Sequence, residues 1–569
     1  MIVFNNALHS DAVNRARERR RCANNLHVTN HQSYFSAMQF AYLLLFASFV
    51  CLLPVSGEEP KGSSHVADIA RHSIRGFGYP KLSDVSFSSR RFRPENERDP
   101  HDTFATMPQF FPTRLDWVYD YGNEENIVGR AKSLGLKYTG TINSILPDEL
   151  GGFVRTRGRD RTVDGSFSVL GHLPSKPAIG DVWSDDFIDI ASEHVRQMVK
   201  LGADGIQVDD PGINYAEAIY RDGGYGDASN SRFSVWLRDE STLKERNDWG
   251  LNLDDPGFSY REWVLAKGGE DSIAPALKGL HEKFLLEGLL RFYATLRKVA
   301  AKANGGDPVP FSCNTSSNVV WRDYSEWADF GMAETRMENI SAIKIWRWLC
   351  APNREQDKGQ LLSPPRYDTL TPPENIVPFT RSCIATTYAM GGLMIVPWDV
   401  WQKNDGGPRY FGKAAEYADI YGFVRAIPEL FDGYEAVFCR GGGIPTSTYE
   451  FKRSPIVLQG GHDGVVAVVR SKPKSETDPV VIHLIDWDRC EPFTLILDQN
   501  QFFHGSTIVL DLLSPTKYKR ELHESVLSAS DYSRLLDTQR LKPEIHPDGK
   551  LRFQIPALHP WGIVRVSRK

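Results

Sequence analysis

The feature that most restricts this chain is a change of rhythm near residue 430. From about 110 to 428, strand-like and helix-like segments alternate; beyond, helical spacing stops and short strands separated by turn-rich stretches take over. Phe111 to Tyr119, Leu136 to Asn143, Val309 to Asn314, Ala328 to Glu334 and Leu393 to Trp398 read as strands, while Glu125 to Leu134, Asp185 to Leu201, Leu277 to Ala303 and Asn375 to Tyr388 have helical spacing. In Asp185 to Leu201 the residues Phe187, Ile190, Val195, Met198 and Val199 form one apolar stripe. Repetition of strand, helix, strand over ~320 residues predicts an α/β fold, a (β/α)8 TIM barrel, rather than an open doubly wound sheet. No GxGxxG follows an early strand, which weakens a dinucleotide-binding fold.

Past 430, Val465 to Ser471, Val480 to Trp487, Phe493 to Leu497, Thr507 to Leu513, Leu551 to Ile555 and Ile563 to Val566 predict an all-β sandwich domain. Four segments are therefore expected: 1–57, a leader; 58–105, a polar linker or arm; 106–429, the barrel; and 430–569, the sandwich. The barrel lacks a clear third strand, and the segment Asp164 to Leu173 is where one would be hidden.

The leader is chemically distinct. Arg15, Arg17, Arg19, Arg20 and Arg21 precede the apolar run Met38 to Leu53, which is shorter than the roughly 20 residues that span a bilayer. Val55 and Gly57 place small residues at −3 and −1 of a cut after Gly57, the pattern of a secretory signal peptide, with an uncleaved anchor as the competing reading. The expected location is secreted or periplasmic, with membrane attachment only through this run. Met38 is an alternative start to Met1.

Without the leader, 62 basic side chains face 70 acidic ones, a balance that argues against nucleic acid as partner. Cys313, Cys350, Cys383, Cys439 and Cys490 are sparse and contain no CxxC, so neither a disulfide framework nor a zinc ribbon is indicated. HExxH, GxSxG and Walker patterns are also missing from the sequence.

The chemistry is expected where strands end, because the C-terminal rim of a parallel barrel carries its site. In GADGIQVDDPG, alternation puts Gly205, Gln207 and Asp209 on one face and Ile206 and Val208 on the other. With the aliphatic pair against helices, Asp209 points into the barrel, and Asp210 turns outward to cap the turn before Pro211 or hold a neighbouring cation. Glu334 and Asp399 close two further strands, and Asn143 and Asn314 are polar strand ends. Several acids on one rim raise the pKa of at least one of them. That is the requirement of a two-carboxylate centre for glycosidic bonds, with Asp209 as nucleophile or base and Glu334, the residue of higher intrinsic pKa, as acid. A salt bridge from Glu334 to Arg336 or Arg381 is the structural alternative. Asp210, Asn143, Asn314, Trp398, Asp399, Trp401, Trp117 and His172 are the expected substrate-binding residues, with Trp398 and Trp401 as stacking candidates. A cation held by Asp209 and Asp210 is the metal alternative; no metal site and no organic cofactor are assigned.

The segment GADGIQVDD, a late strand ending in PWD and a last strand PWGIVRV together resemble secreted barrel glycosidases of the α-galactosidase-like clan at superfamily level. The resemblance implies a nucleophilic Asp at the end of the fourth strand, matched by Asp209, and an acid on the sixth, matched by Glu334. Here that acid is Glu in place of the clan's Asp. The implied activity is hydrolysis of O-glycosidic bonds of a poly- or oligosaccharide. Two rivals stay open: a carbohydrate-binding surface protein without chemistry, and a divalent-cation-dependent barrel lyase or isomerase.

Overall fold

The computed structural model describes residue 66 and residues 79–88, 106–118, 124–146, 158–171, 176–315, 327–335, 340–355, 359–365, 373–398, 413–444, 454–460, 464–487, 491–503, 505–525 and 527–569. The leader 1–57 lies outside them. No described helix is long and apolar enough to cross a membrane.

Eight parallel strands form one sheet in chain order: β1 (Ser86–Phe87), β2 (Arg114–Val118), β3 (Lys137–Asn143), β4 (Gly205–Asp209), β5 (Phe311–Thr315), β6 (Phe330–Ala333), β7 (Gly359–Leu362) and β8 (Leu393–Met394). Just past β8, the Val396 N–H donates to the Ser86 carbonyl on β1 at 2.9 Å, which brings the last strand back to the first. The barrel therefore begins earlier than expected. Its first strand lies inside the segment read as a linker or arm, and of the stretch expected to hide a third strand the described residues 164–171 take part in isolated bridges, Arg161 with Phe167 and Val169 with Ala178, and in no named strand. The ordinal positions of Asp209 on the fourth strand and Glu334 after the sixth are nonetheless those expected.

Helices α1 (Glu124–Ser133) and α2 (Asp185–Leu201) flank β3 and β4. The buried face of α2 is Phe187, Ala191, Val195, Met198 and Val199; Ala191, rather than the half-buried Ile190, completes the stripe. Each of the larger side chains contributes about 1.5–3 kcal/mol by leaving water. The helix stops at Gly202, whose φ of 106° supplies the left-handed cap. Asp204, next in the chain, accepts the Tyr138 N–H at 2.8 Å at the start of β3, so this acid of GADG joins strand bottoms, far from the rim.

Between β4 and β5 the chain inserts α3 (Ile213–Tyr220), α4 (Asp227–Glu240), α5 (Leu243–Trp249), α6 (Tyr260–Ala266) and α7 (Pro275–Ala303). Two buried acids that precede α2, Asp160 and Asp181, bond to this insertion. Asp160 accepts the N–H groups of Gly224 and Gly226 at 2.9 and 3.1 Å, and Asp181 accepts the Ser229 N–H at 2.9 Å. Later crossovers are α8 (Ala342–Glu355), α9 (Pro373–Ala389) and α10 (Ala414–Ala426).

The C-terminal strands are β9 (Glu435–Arg440), β10 (Ile456–Gln459), β11 (Val465–Ser471), β12 (Val480–Asp486), β13 (Phe493–Leu497), β14 (Ile508–Pro515), β15 (Leu536–Leu541), β16 (Glu544–Ile545), β17 (Leu551–Ile555) and β18 (Trp561–Arg568). They make antiparallel sheets in the orders β10-β13-β17-β16 and β15-β14-β18-β12-β11-β9. Ala467, Val469, Ile482 and Leu484 face Leu495 and Phe553 of the smaller sheet, while Val466, Val468, Val481, Trp561 and Ile563 join the barrel's core. Both faces of the central strands are buried, which is why β11 reads as an unbroken apolar run instead of an alternation. Arg470, on the barrel side of β11, donates to the carbonyls of Tyr388 and Ala389 at the end of α9.

Candidate functional site

Side-chain direction follows from two glycines. A Cβ on Gly140 would run into Met198 of α2, so Gly140 faces the helices and Thr139, Thr141 and Asn143 face inward. A Cβ on Gly205 would meet Thr139, which puts Gly205, Gln207 and Asp209 on the same inner face. At the floor of this interior Arg114 and Asp116, both buried, pair at 2.6 Å, and Asp116 also accepts from Ser86 at 2.6 Å and Thr139 at 2.7 Å. Burial alone would raise the Asp116 carboxyl; the guanidinium of Arg114 and these donors overcome it and hold the group below the usual carboxylate range.

Above the floor, Thr141, Gln207 and Ser312 are register neighbours on β3, β4 and β5. The Thr141 Oγ1, Gln207 Oε1 and Ser312 Oγ are buried without a partner among the described residues, which makes the interior beneath the rim polar.

At the rim, Asn143 stands beside Asp209 in register, and its Oδ1 accepts the Ile145 N–H at 3.0 Å, closing the turn after β3. Asn314 on β5 joins the two principal acids. Its Nδ2 donates to Asp209 Oδ1 at 2.6 Å and to Glu334 Oε1 at 3.3 Å. Those two oxygens are consequently no more than about 5.9 Å apart, the two bonds laid end to end. Asp209 Oδ1 also accepts the Asp210 N–H at 3.1 Å. A carboxyl oxygen has lone pairs for more than one donor, so Asp209 Oδ1 holds the amide and the backbone N–H together.

Asp210 is expected at the turn after β4 and among the substrate-binding residues. Its carbonyl does close the turn, accepting the Ile213 N–H at 3.2 Å. Its carboxyl, however, is pushed well above the usual range by burial first and then by the negative charges of Asp209 and Glu334, with Arg221 opposing.

The aromatic expectations fare differently. Trp117 sits in a bulge of β2 with φ 55°, is 3 % exposed and belongs to the hydrophobic core, so it is no open stacking platform. Trp398 is 4 % exposed and packs near Phe87, with ring centroids 6.5 Å apart. His172, Asp399 and Trp401 lie outside the described residues. The structural alternative for Glu334 is also narrowed: Arg381 is engaged by Asp419 at 2.6 Å, and Arg336 lies outside the described residues. No group of three His, Cys, Asp or Glu side chains able to hold a metal ion occurs among the described residues.

Sequence reasoning overlooked Arg114 and Asp116, although their spacing of two in RLDWV places both on one strand face, and it did not anticipate that Asn314 bridges the acids.

No family model and no curated protein sequence matches the chain. Among solved structures, the chain is similar to a cycloisomaltooligosaccharide glucanotransferase from Paenibacillus sp. complexed with cycloisomaltoheptaose, with a TM-score of 0.51 and 9 % identity over 85 % of each chain. It is also similar to a noncanonic maltogenic α-amylase from Thermotoga neapolitana, with a TM-score of 0.46 and 9 % identity over 86 % of this chain and 99 % of that one. A third is α-L-fucosidase isoenzyme 2 from Paenibacillus thiaminolyticus, with a TM-score of 0.46 and 8 % identity over 86 % of this chain and 100 % of that one. The likeness to the glucanotransferase is one of fold.

Proposed function

We propose that this chain is a glycoside hydrolase that cleaves O-glycosidic bonds of an oligo- or polysaccharide through Asp209 and Glu334, without an organic cofactor. The observation that carries the reading is the Asn314 amide shared by both carboxyls at the rim of the barrel. It brings two carboxyls within reach of one donor at the end of β5. The fold shared with a glucanotransferase is consistent with it.

The separation favours retention of configuration. Retaining pairs stand about 5–5.5 Å apart and inverting pairs ~6.5–9.5 Å, the larger gap leaving room for a water. With at most about 5.9 Å between the bridged oxygens, the reading is direct attack. Asp209 attacks the anomeric carbon while Glu334 gives its proton to the departing oxygen. Glu334, now ionised, then takes a proton from water as that water displaces Asp209 from the sugar. We further propose that the protein is exported by means of its N-terminal apolar run.

The test is incubation of the wild-type protein with labelled α-glucan, β-glucan, galactan and fucan oligosaccharides, read by reducing-end release, with the anomer of the first product identified by proton NMR. Turnover with retained configuration is expected. Glycan retention without turnover would assign the site to binding, and an inverted first product would overturn direct attack by Asp209.

A further inference from the structure

The turn that follows Asp209 is strained. Asp210 has φ 48° and Ile213 has φ 42°, both in the left-handed region. For a β-branched residue such as Ile213 that conformation is an outlier, and it persists only where the surroundings impose it. The Ile213 N–H donates to the Asp210 carbonyl at 3.2 Å, but that bond lies inside the turn and moves with it. The fastening from outside comes from α7. There the buried Tyr293 hydroxyl donates to the carbonyl of Pro211, also buried, at 2.6 Å.

Tyr293 is itself held in place. Its ring stacks on Trp327, with centroids 3.6 Å apart and planes 15° from parallel. One helical turn along α7, the Arg297 guanidinium donates to the Trp327 carbonyl at 2.8 Å and to Asp329 Oδ2 at 2.7 Å. Asp329 Oδ2 in turn accepts the Phe311 N–H at 2.8 Å, at the start of β5. The helix that reaches the turn after β4 is thus tied to β5 and to the chain entering β6, the strands that lead to Asn314 and Glu334.

The turn bears on Asp209 through one bond. The Asp210 N–H donates to Asp209 Oδ1 at 3.1 Å, the same oxygen that Asn314 Nδ2 reaches at 2.6 Å. Relaxation of the left-handed Asp210 would rotate the peptide that carries this N–H, so the direction of the Asp209 carboxyl depends on the turn staying as it is.

We propose that Tyr293 is a positioning residue for Asp209: by holding the Pro211 carbonyl, its hydroxyl keeps the turn in the conformation that aims the Asp209 carboxyl at the anomeric carbon. This deepens the glycosidase reading and rests on it. Tyr293 is buried and acts through the backbone, so its hydroxyl governs the rate of attack and leaves substrate binding alone.

The test compares the wild type with Tyr293→Phe, which keeps the ring against Trp327 and loses only the hydroxyl. Steady-state kinetics use the best-cleaved oligosaccharide of the panel above, at a temperature where thermal midpoints show both proteins folded. Hydrogen–deuterium exchange is followed over residues 205–217. In Tyr293→Phe, kcat is expected to fall by about tenfold, the scale of one lost hydrogen bond, with KM unmoved. Exchange in the turn is expected to quicken. A residue that merely packs the core would lower the midpoint and leave the kcat of the folded enzyme unchanged. Wild-type kcat in Tyr293→Phe, or unaltered exchange in the turn, overturns the proposal. Failure of the hydrolase reading is seen separately, as absence of turnover by the wild type, and exchange then decides alone whether Tyr293 fastens the turn.

Discussion

Asn314 Nδ2 lies 2.6 Å from Asp209 Oδ1 and, from the same nitrogen, 3.3 Å from Glu334 Oε1. One amide on β5 thus sets the spacing of two acids carried by β4 and the end of β6. A hydrogen bond to a charged group is worth about 1.5–3 kcal/mol, and each ~1.4 kcal/mol is a factor of ten in rate. Asn314→Ala is therefore expected to lower kcat/KM by about 10- to 100-fold with little change in thermal midpoint. A thermal shift assay beside steady-state kinetics checks it; undiminished kcat/KM would remove Asn314 from the site.

The barrel floor yields a prediction about stability. Arg114 and Asp116 are both buried and paired, and Asp84 stands 3.6 Å from the same guanidinium, so removing the Asp116 charge leaves Arg114 with its longer ion pair alone. Asp116→Asn is expected to cost about 1.5–3 kcal/mol, the worth of a hydrogen bond to a charged group. Denaturant unfolding reads it; a loss below ~1 kcal/mol would mean that the pair is solvated.

Stability should also depend on pH in a defined sense. Asp160 is pushed well above the usual carboxylate range by burial and then by Asp181, and Asp181 and Glu217 are raised by burial. A raised folded-state pKa means the folded protein holds the proton more tightly, so this stabilisation is complete below the ordinary carboxylate pKa and is lost as pH rises through the folded value. His281 works oppositely: burial drives it down to about 4, so its contribution is present above the ordinary histidine pKa and is lost as pH falls toward that value. Thermal midpoints across pH should fall on both sides, and Asp160→Asn should flatten the alkaline side. A wild-type midpoint that climbs steadily from neutral into alkaline solution would contradict the assignment.

Much of the site was legible because alternation survives at strand ends. GIQVD places Gly205, Gln207 and Asp209 inward, and the contacts a Cβ on Gly205 would make agree. Alternation fails where the backbone leaves the strand. The left-handed Asp210 leaves the ladder of β4, and the bulged, left-handed Trp117, expected to touch substrate, lies in the core. Neither φ is written in residue type, since Asp and Trp adopt either conformation when packing demands it. The first strand escaped for another reason: Ser86–Phe87 is only two residues long, too short for any periodicity.

The central claim is that Asp209 and Glu334 carry the reaction, and its most direct test is the cleavage rate of Asp209→Asn and Glu334→Gln on an oligosaccharide that the wild type cleaves. Both variants should keep the wild-type thermal midpoint and lose well over ~10²-fold in kcat, the scale of acid, base and nucleophile groups. Either variant turning over at a near-wild-type rate would contradict the account.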